Sequence, residues 1–269
     1  MESVSFPFVK GHGTHNDFVV LPDLDGSLHG ALESEVVIAL CDRRGGIGAD
    51  GVLRVMRSGP EVPWFMDYRN ADGSVSQMCG NGVRVFARYL AEAGLVDPAK
   101  PLEVDTRDGL KQVTFCDDGE ISVDMGVPSL GGAGVVSVSS RAFEAVSVDV
   151  GNPHLVVTVD SLDQVGELHD SPFFCGVEFP DGVNIEFVER RGGGHVAMRV
   201  FERGVGETSS CGTGACAVAA VMAEGDGHAA PLSYTIEVPG GVLTVSLEAD
   251  QHAHLKGPAL LVAEGTWTA

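Results

Sequence analysis

Residues 79–94 read CGNGVRVFARYLAEAG, and residues 211–226 read CGTGACAVAAVMAEGD. Each stretch opens with cysteine, glycine, a variable residue and glycine, then runs on through small and apolar residues. They lie close to half the chain apart, and the sequence around them keeps step. Upstream, YRNADGS (68–74) matches FERGVGE (201–207), so that Asn70 and Glu202 hold the same place before their cysteines. Downstream, LEVDTRDGLKQV (102–113) matches TIEVPGGVLTVS (235–246), and THNDFVVL (14–21) near the start of one half resembles GNPHLVVTV (151–159) in the other. Self-similarity of this kind is the mark of an internal duplication.

Each half therefore reads as short strands, one helix after the cysteine, then a hairpin. The runs ISVDMGV (121–127), VSVDV (146–150), NIEFVER (184–190) and HVAMRVFER (195–203) alternate with the period of half-buried strands. The two helices are apolar for much of their circumference, and such a helix must be buried. The expected fold is α+β: two pseudo-symmetric domains, each a curled, mostly antiparallel sheet or barrel around a central helix, with the active site in the cleft between them. The Gly- and Pro-rich DMGVPSLGGAG (124–134) marks the boundary. The expected domains are 1–127, joined by a C-terminal strand at 258–269, and 128–257.

Composition narrows the partners. The chain has 269 residues, 38 of them acidic against 17 basic, for a net charge of −21. That balance repels phosphate backbones and anionic membrane surfaces, so neither nucleic acid nor a membrane is expected as partner, whereas a small zwitterion is not repelled. The longest apolar run, ACAVAAVMA (215–223), is far shorter than the roughly 18 residues of a membrane span. The N-terminal stretch lacks the pattern of a signal peptide, so a cytoplasmic location with reduced thiols is expected. No C-x-x-C pair occurs among the six cysteines, and no metal site is expected. Cys41, Cys116, Cys175 and Cys216 read as small buried residues. Oligomeric state is left open, a homodimer being one arrangement the sequence allows.

Cys79 and Cys211 differ by context. A cysteine at a helix N-terminus sits at the positive end of the helix dipole, which favours thiolate, and flanking glycines let a ligand approach the free N–H groups. Those groups form a cradle for a carboxylate. With one sulfur on each face of the carbon beside that carboxylate, one thiolate removes the α-proton while the opposite thiol delivers another. The centre inverts without the substrate turning over. None of the four lysines has a context that suggests pyridoxal phosphate, so no cofactor is expected and the protein's own donors must stabilise the enediolate.

These residues carry a family resemblance. NADGSVSQMCGNGVRVFA (70–87), GNPH (151–154), ERGVGETSSCGTGACA (202–217), GTHNDF (13–18) and DRRGGIGADG (42–51) closely resemble the diaminopimelate epimerases, over nearly the whole chain. The resemblance implies interconversion of LL- and meso-2,6-diaminoheptanedioate in lysine and peptidoglycan-precursor synthesis, with Cys79 and Cys211 as acid and base. It implies that Gly80, Asn81, Gly212 and Thr213 bind the reacting carboxylate, and that Asn16, Asn70, Asn152, Asn184 and Arg203 read the rest of the substrate. His154 and Glu202 would tune the thiols or hold the reacting ammonium, Glu202 also touching substrate. Many relatives have a cysteine where this chain has Val85. Where some have a substrate-touching glutamine this chain has Gly51, so that contact is not carried over. Two other readings of the paired thiols remain: a proline or hydroxyproline racemase, and a non-catalytic redox-sensing thiol protein.

Overall fold

In the structure, a computed structural model, residues 5–59, 64–138, 140–174, 179–227 and 232–268 are described; Cys175 lies outside them. The chain begins with β1 (Ser5–Gly13), β2 (Asn16–Pro22), α1 (Ser34–Cys41), β3 (Gly51–Met56), β4 (Phe65–Asn70), α2 (Gly80–Glu92), β5 (Leu102–Thr106), β6 (Gly109–Phe115) and β7 (Ile121–Asp124). It continues through β8 (Ser129–Val138), β9 (Arg141–Asp149), β10 (Pro153–Val159), β11 (Phe173–Phe174), β12 (Asn184–Gly192), β13 (His195–Glu202), β14 (Gly206–Thr208) and α3 (Gly212–Asp226). Last come β15 (Leu232–Val238), β16 (Gly241–Leu247), β17 (Ala253–Gly257) and β18 (Leu260–Thr268). Two compact units result: Met1–Val123 with Pro258–Ala269, and Asp124–Gly257.

The first unit orders its strands β18-β1-β2-β3-β4-β5-β6-β7, with β2 parallel to β3, β4 parallel to β5 and every other pair antiparallel. The second orders β8-β9-β10-β12-β13-β15-β16-β17 with parallel pairs at the same two places. The duplication read in the sequence is thus a duplication of topology. β18 in the first unit takes the place of β8 in the second, so the last strand completes a sheet begun by the first.

One long helix fills each sheet. α2 packs against β1, β2, β3, β4 and β18, and α3 against β9, β10, β12, β15, β16 and β17. Val83, Val85, Phe86, Ala87 and Leu90 of α2, and Ala215 through Ala219 of α3, are wholly shielded from solvent. Burying one such Phe or Leu side chain contributes about 1.5–3 kcal/mol. α3 stops at Gly227, whose left-handed backbone (φ 62°) closes the helix. Among the described residues no helix is long and apolar enough to cross a membrane.

Three expectations need correction. SLGGAG (129–134) is not loop but the start of β8, which pairs with β9 through an irregularity between Leu130 and Ala133. Its glycines allow this, since a Cβ at Gly131 would overlap the Ser147 hydroxyl, and a bulge in a strand commonly sits at glycine. The first unit has a second helix, α1, whose Val37, Leu40 and Cys41 join a cluster with Phe6, Val19, Leu21 and Val52. Cys116 is not a core residue: it is half-buried, with Sγ 3.9 Å from the Thr114 carbonyl.

Candidate active site

Each cysteine is the N-cap of its helix. Cys79 and Cys211 are extended (φ −148° and −124°), and each sulfur accepts the N–H of the third helical residue, from Gly82 at 3.3 Å and from Gly214 at 3.4 Å. Ser, Thr, Asp or Asn usually fills this role, because an acceptor there satisfies one of the helix's free donors. Here a thiol sulfur does so. Gly80, Asn81, Gly212 and Thr213, the first two residues of each helix, are all buried.

Around Cys79 the first unit builds a polar chain. Thr14 and His15 both take positive φ (48° and 65°), making the tight turn that joins β1 to β2 and starts β2 at Asn16. Asn16 Oδ1 accepts from Asn81 Nδ2 at 3.2 Å and from Cys79 Sγ at 3.6 Å, while Asn16 Nδ2 donates to Asp50 Oδ2 at 2.8 Å. Arg43 Nη2 donates to the other Asp50 oxygen at 2.6 Å. Asn81 Oδ1 accepts from the buried Arg84 at 2.9 Å. Asn70 ends β4, its Nδ2 donating to Ser74 Oγ at 3.0 Å. At Gly51 a Cβ would stand 2.6 Å from the Arg69 carbonyl oxygen and 2.7 Å from the Tyr68 ring, so no side chain fits there.

Around Cys211 the second unit is drier and carries charge. Cys211 is buried, its Sγ 3.5 Å from Thr213 Oγ1. Burial pushes its thiol well above the usual range, and the Glu202 and Glu186 carboxylates push it further, against weaker help from Thr213 and the Gly214 N–H. This corrects the expectation that a helix start favours thiolate here: desolvation of the charged form outweighs the helix end. His154 and Glu186 are wholly buried, with His154 Nδ1 2.7 Å from Glu186 Oε1 and Nε2 3.0 Å from Asn152 Oδ1. Glu202 accepts a short hydrogen bond from Thr208. Asn184 Nδ2 donates to the Pro153 carbonyl at 3.2 Å, and its Oδ1 accepts the Arg203 N–H at 3.0 Å. The Arg203 side chain is exposed and passes over Gly182.

The structure thus gathers Asn16, Cys79 and Asn81 in one unit, and Asn152, His154, Asn184, Arg203, Glu202, Cys211 and Thr213 in the other. Among the polar residues of these networks that escaped the sequence reading, Asp50 and Glu186 are the acidic ones. Asp50 stood in DRRGGIGADG as part of a glycine-rich loop, and Glu186 stood in the alternating NIEFVER, where a charged residue reads as the solvent face. In β12 both faces are covered, Ile185 and Phe187 by one apolar cluster and Glu186 by α3.

Comparison with solved structures places the fold. The chain superposes on a phenazine biosynthesis protein of the PhzF family from Bacillus anthracis (TM-score 0.76, 19% identity, 99% of each chain) and on a hydroxyproline epimerase from Agrobacterium vitis (TM-score 0.71, 16% identity, 98% of this chain and 93% of that one). Its fold is that of the two-unit proline racemase and PhzF-like class. Sequence is more particular: the diaminopimelate epimerase family model matches residues 8–131 and 146–262. Diaminopimelate epimerases from Streptomyces coelicolor (50% identity, 98% of this chain and 96% of the relative) and Thermobifida fusca (49%, 96% of each) align nearly end to end. The chain belongs to the diaminopimelate epimerase family.

Proposed function

We propose that the protein inverts one α-carbon of 2,6-diaminoheptanedioate, interconverting the LL and meso forms, with Cys79 and Cys211 as the two acid/base groups and no cofactor. The observation that carries this reading is the matched pair of N-cap thiols, one per unit, each at the start of a buried helix. The family supports the substrate. Cys211, held protonated by burial and by Glu202 and Glu186, is the acid for one direction, and Cys79 is then the base; the roles exchange in reverse.

The α-proton of an amino acid is a very weak acid, so the growing charge on the reacting carboxylate must be met by donors. Gly80, Asn81, Gly212 and Thr213 supply them, at about 3–4 kcal/mol per well-placed donor in the transition state. Positioning contributes about 7–11 kcal/mol more. At the distal end Arg203 pairs with the second carboxylate, and Asn16, Asn70, Asn152 and Asn184 read or position the remaining polar groups. Glu202, where the first half has Asn70, and His154 serve the reacting ammonium and the second thiol. On this reading the reaction belongs to lysine and peptidoglycan-precursor synthesis, and the protein works in the cytoplasm. Cys79→Ala and Cys211→Ala are each expected to lower kcat/KM for inversion by about 10²–10⁴-fold. Full inversion in either variant contradicts the reading.

A further inference from the structure

Arg84, in the second turn of the helix that Cys79 caps, is wholly buried although a guanidinium is always charged. Its Nη2 donates to Asn81 Oδ1 at 2.9 Å, Asn81 Nδ2 donates to Asn16 Oδ1 at 3.2 Å, and Asn16 Nδ2 donates to Asp50 Oδ2 at 2.8 Å. The Cys79 sulfur joins this chain at Asn16 Oδ1, 3.6 Å away. Gly13 makes room for it: a Cβ there would stand 3.1 Å from Arg84 Nη2 and 3.3 Å from the Asn81 carbonyl oxygen.

An asparagine amide donates from one side and accepts on the other, so its neighbours decide which way it faces. Here both ends of the chain run one way. A guanidinium only donates, which turns the Asn81 oxygen towards Arg84 and its NH2 towards Asn16. At the far end the Asp50 carboxylate accepts from Asn16, from the Asp17 N–H at 3.1 Å and from Arg43. Between a donor at Asn81 and an acceptor at Asp50, the Asn16 amide has one orientation, with its oxygen towards Asn81 and the thiol.

The second unit has neither charged end. Counted from each cysteine, Arg84 corresponds to Cys216 and Asn81 to Thr213. Parallel pairing sets Phe18 opposite Gly51 and His154 opposite Asn184, so Asp50, just before Gly51, corresponds to Val183. A buried cysteine and a buried valine thus stand where the first unit has a guanidinium and a carboxylate. The scaffold folds without Arg84, and a buried charge that the fold does not need is costly to keep.

We propose that Arg84 is a positioning residue that, through Asn81, fixes the Asn16 oxygen on the Cys79 sulfur, with Asp50 as the opposite anchor. This rests on the two-thiol reading, but one readout needs no turnover. Neutron diffraction from crystals of the full, ligand-free chain in deuterium oxide is expected to show the Asn81 amide deuterium on the Asn16 side and the Asn16 oxygen facing Cys79. Either amide found turned over overturns the proposal. Arg84→Met, which keeps the bulk and donates nothing, is expected to lower kcat about 10- to 100-fold with little change in KM, as a misplaced group does. Asn81→Ala should lower kcat at least as far, whereas Arg84→Lys, which still only donates, should keep most of it. A lysine variant as slow as Asn81→Ala overturns the proposal, and does so even if Arg84→Met fails to fold. In the Asn81→Ala background Arg84 has no amide to hold, so adding Arg84→Met should cost less than about twofold more. Losses that multiply would give Arg84 a separate role and overturn it. If instead Cys79→Ala keeps full activity, the two-thiol reading fails while the amide orientations stand, so the two failures are distinguishable.

Discussion

Glu186 and Gly214 touch: a Cβ added at Gly214 would stand 2.5 Å from Glu186 Oε1 and 3.1 Å from both Cγ and Cδ. The second glycine of the Cys211 motif is therefore demanded by a carboxylate inside the protein, in addition to any ligand. The equivalent Gly82 meets the Leu53 methyl at 3.2 Å, a milder contact. Gly214→Ala is expected to destabilise by about 1–3 kcal/mol through overpacking against a side chain with nowhere to move. Gly82→Ala should lose less, because the gain of alanine over glycine in a helix, about 1 kcal/mol, offsets most of its contact. Denaturant unfolding of the two variants checks this; equal losses, or a larger loss at Gly82, count against it.

Asp50 is linked to Cys79 through Asn16, whose amide bridges the carboxylate to the thiol. Asp50→Asn removes the charge and one of the two acceptor oxygens that hold the Asn16 amide, the Asp17 N–H and Arg43, so the Asn16 amide is less firmly oriented, and a misplaced group of this kind costs about 10²-fold. A fall in kcat of about 10- to 100-fold with a nearly unchanged melting temperature is expected. An unaltered kcat would show that Asn16 needs no such support.

Acid sensitivity follows from Asp17. Burial pushes its carboxyl up, but hydrogen bonds from Arg43 (2.8 Å) and Lys10 (2.6 Å) outweigh that and bring it down to about 2. Because the folded value lies below the unfolded one, the stabilisation is fully present above about pH 4 and is lost as pH falls towards 2, a swing on the order of 2 kcal/mol. Asp17→Asn should flatten this limb of the stability profile. A limb as steep as that of the unsubstituted protein would assign it to other carboxylates.

The thiols should differ in reactivity. Cys79 is half-buried, Cys211 is buried with its thiol pushed up, and burial raises the Cys41 thiol to about 11. Alkylation follows the thiolate and its access. With limiting iodoacetamide, peptide mapping should find Cys79 labelled well before both Cys211 and Cys41. Labelling of Cys211 first would mean that its thiol ionises despite burial and the two carboxylates.

Much of the architecture was legible in the sequence because duplication shows itself as repeated spacing, and because an all-round apolar helix has nowhere to go but inside. The hairpins downstream of each helix were legible for a similar reason, through alternation around Gly109 and Gly241. The start of β8 was not, since SLGGAG has the composition of a loop and only a bulged partner strand makes use of it. α1 escaped because SEVVIALC is too short for its period to stand out. At the site, the paired glycine-flanked cysteines were plain, but Glu186 was hidden: a charged residue in an alternating strand signals water unless a helix covers that face. The ionisation of Cys211 was misjudged for the same reason, since sequence displays the helix start but not the dryness or the two carboxylates.

The most direct measurement is where solvent hydrogen goes when LL-2,6-diaminoheptanedioate reacts in deuterium oxide and is analysed at low conversion. In the proposed mechanism one thiol serves each face, so the group that delivers the new hydrogen is not the one that removed the old. Two-base chemistry at Cys79 and Cys211 predicts deuterium at the inverted centre of the meso product and protium retained in the recovered LL substrate. Deuterium appearing in recovered substrate as fast as in product would mean one group serving both faces, and would contradict the paired-thiol mechanism.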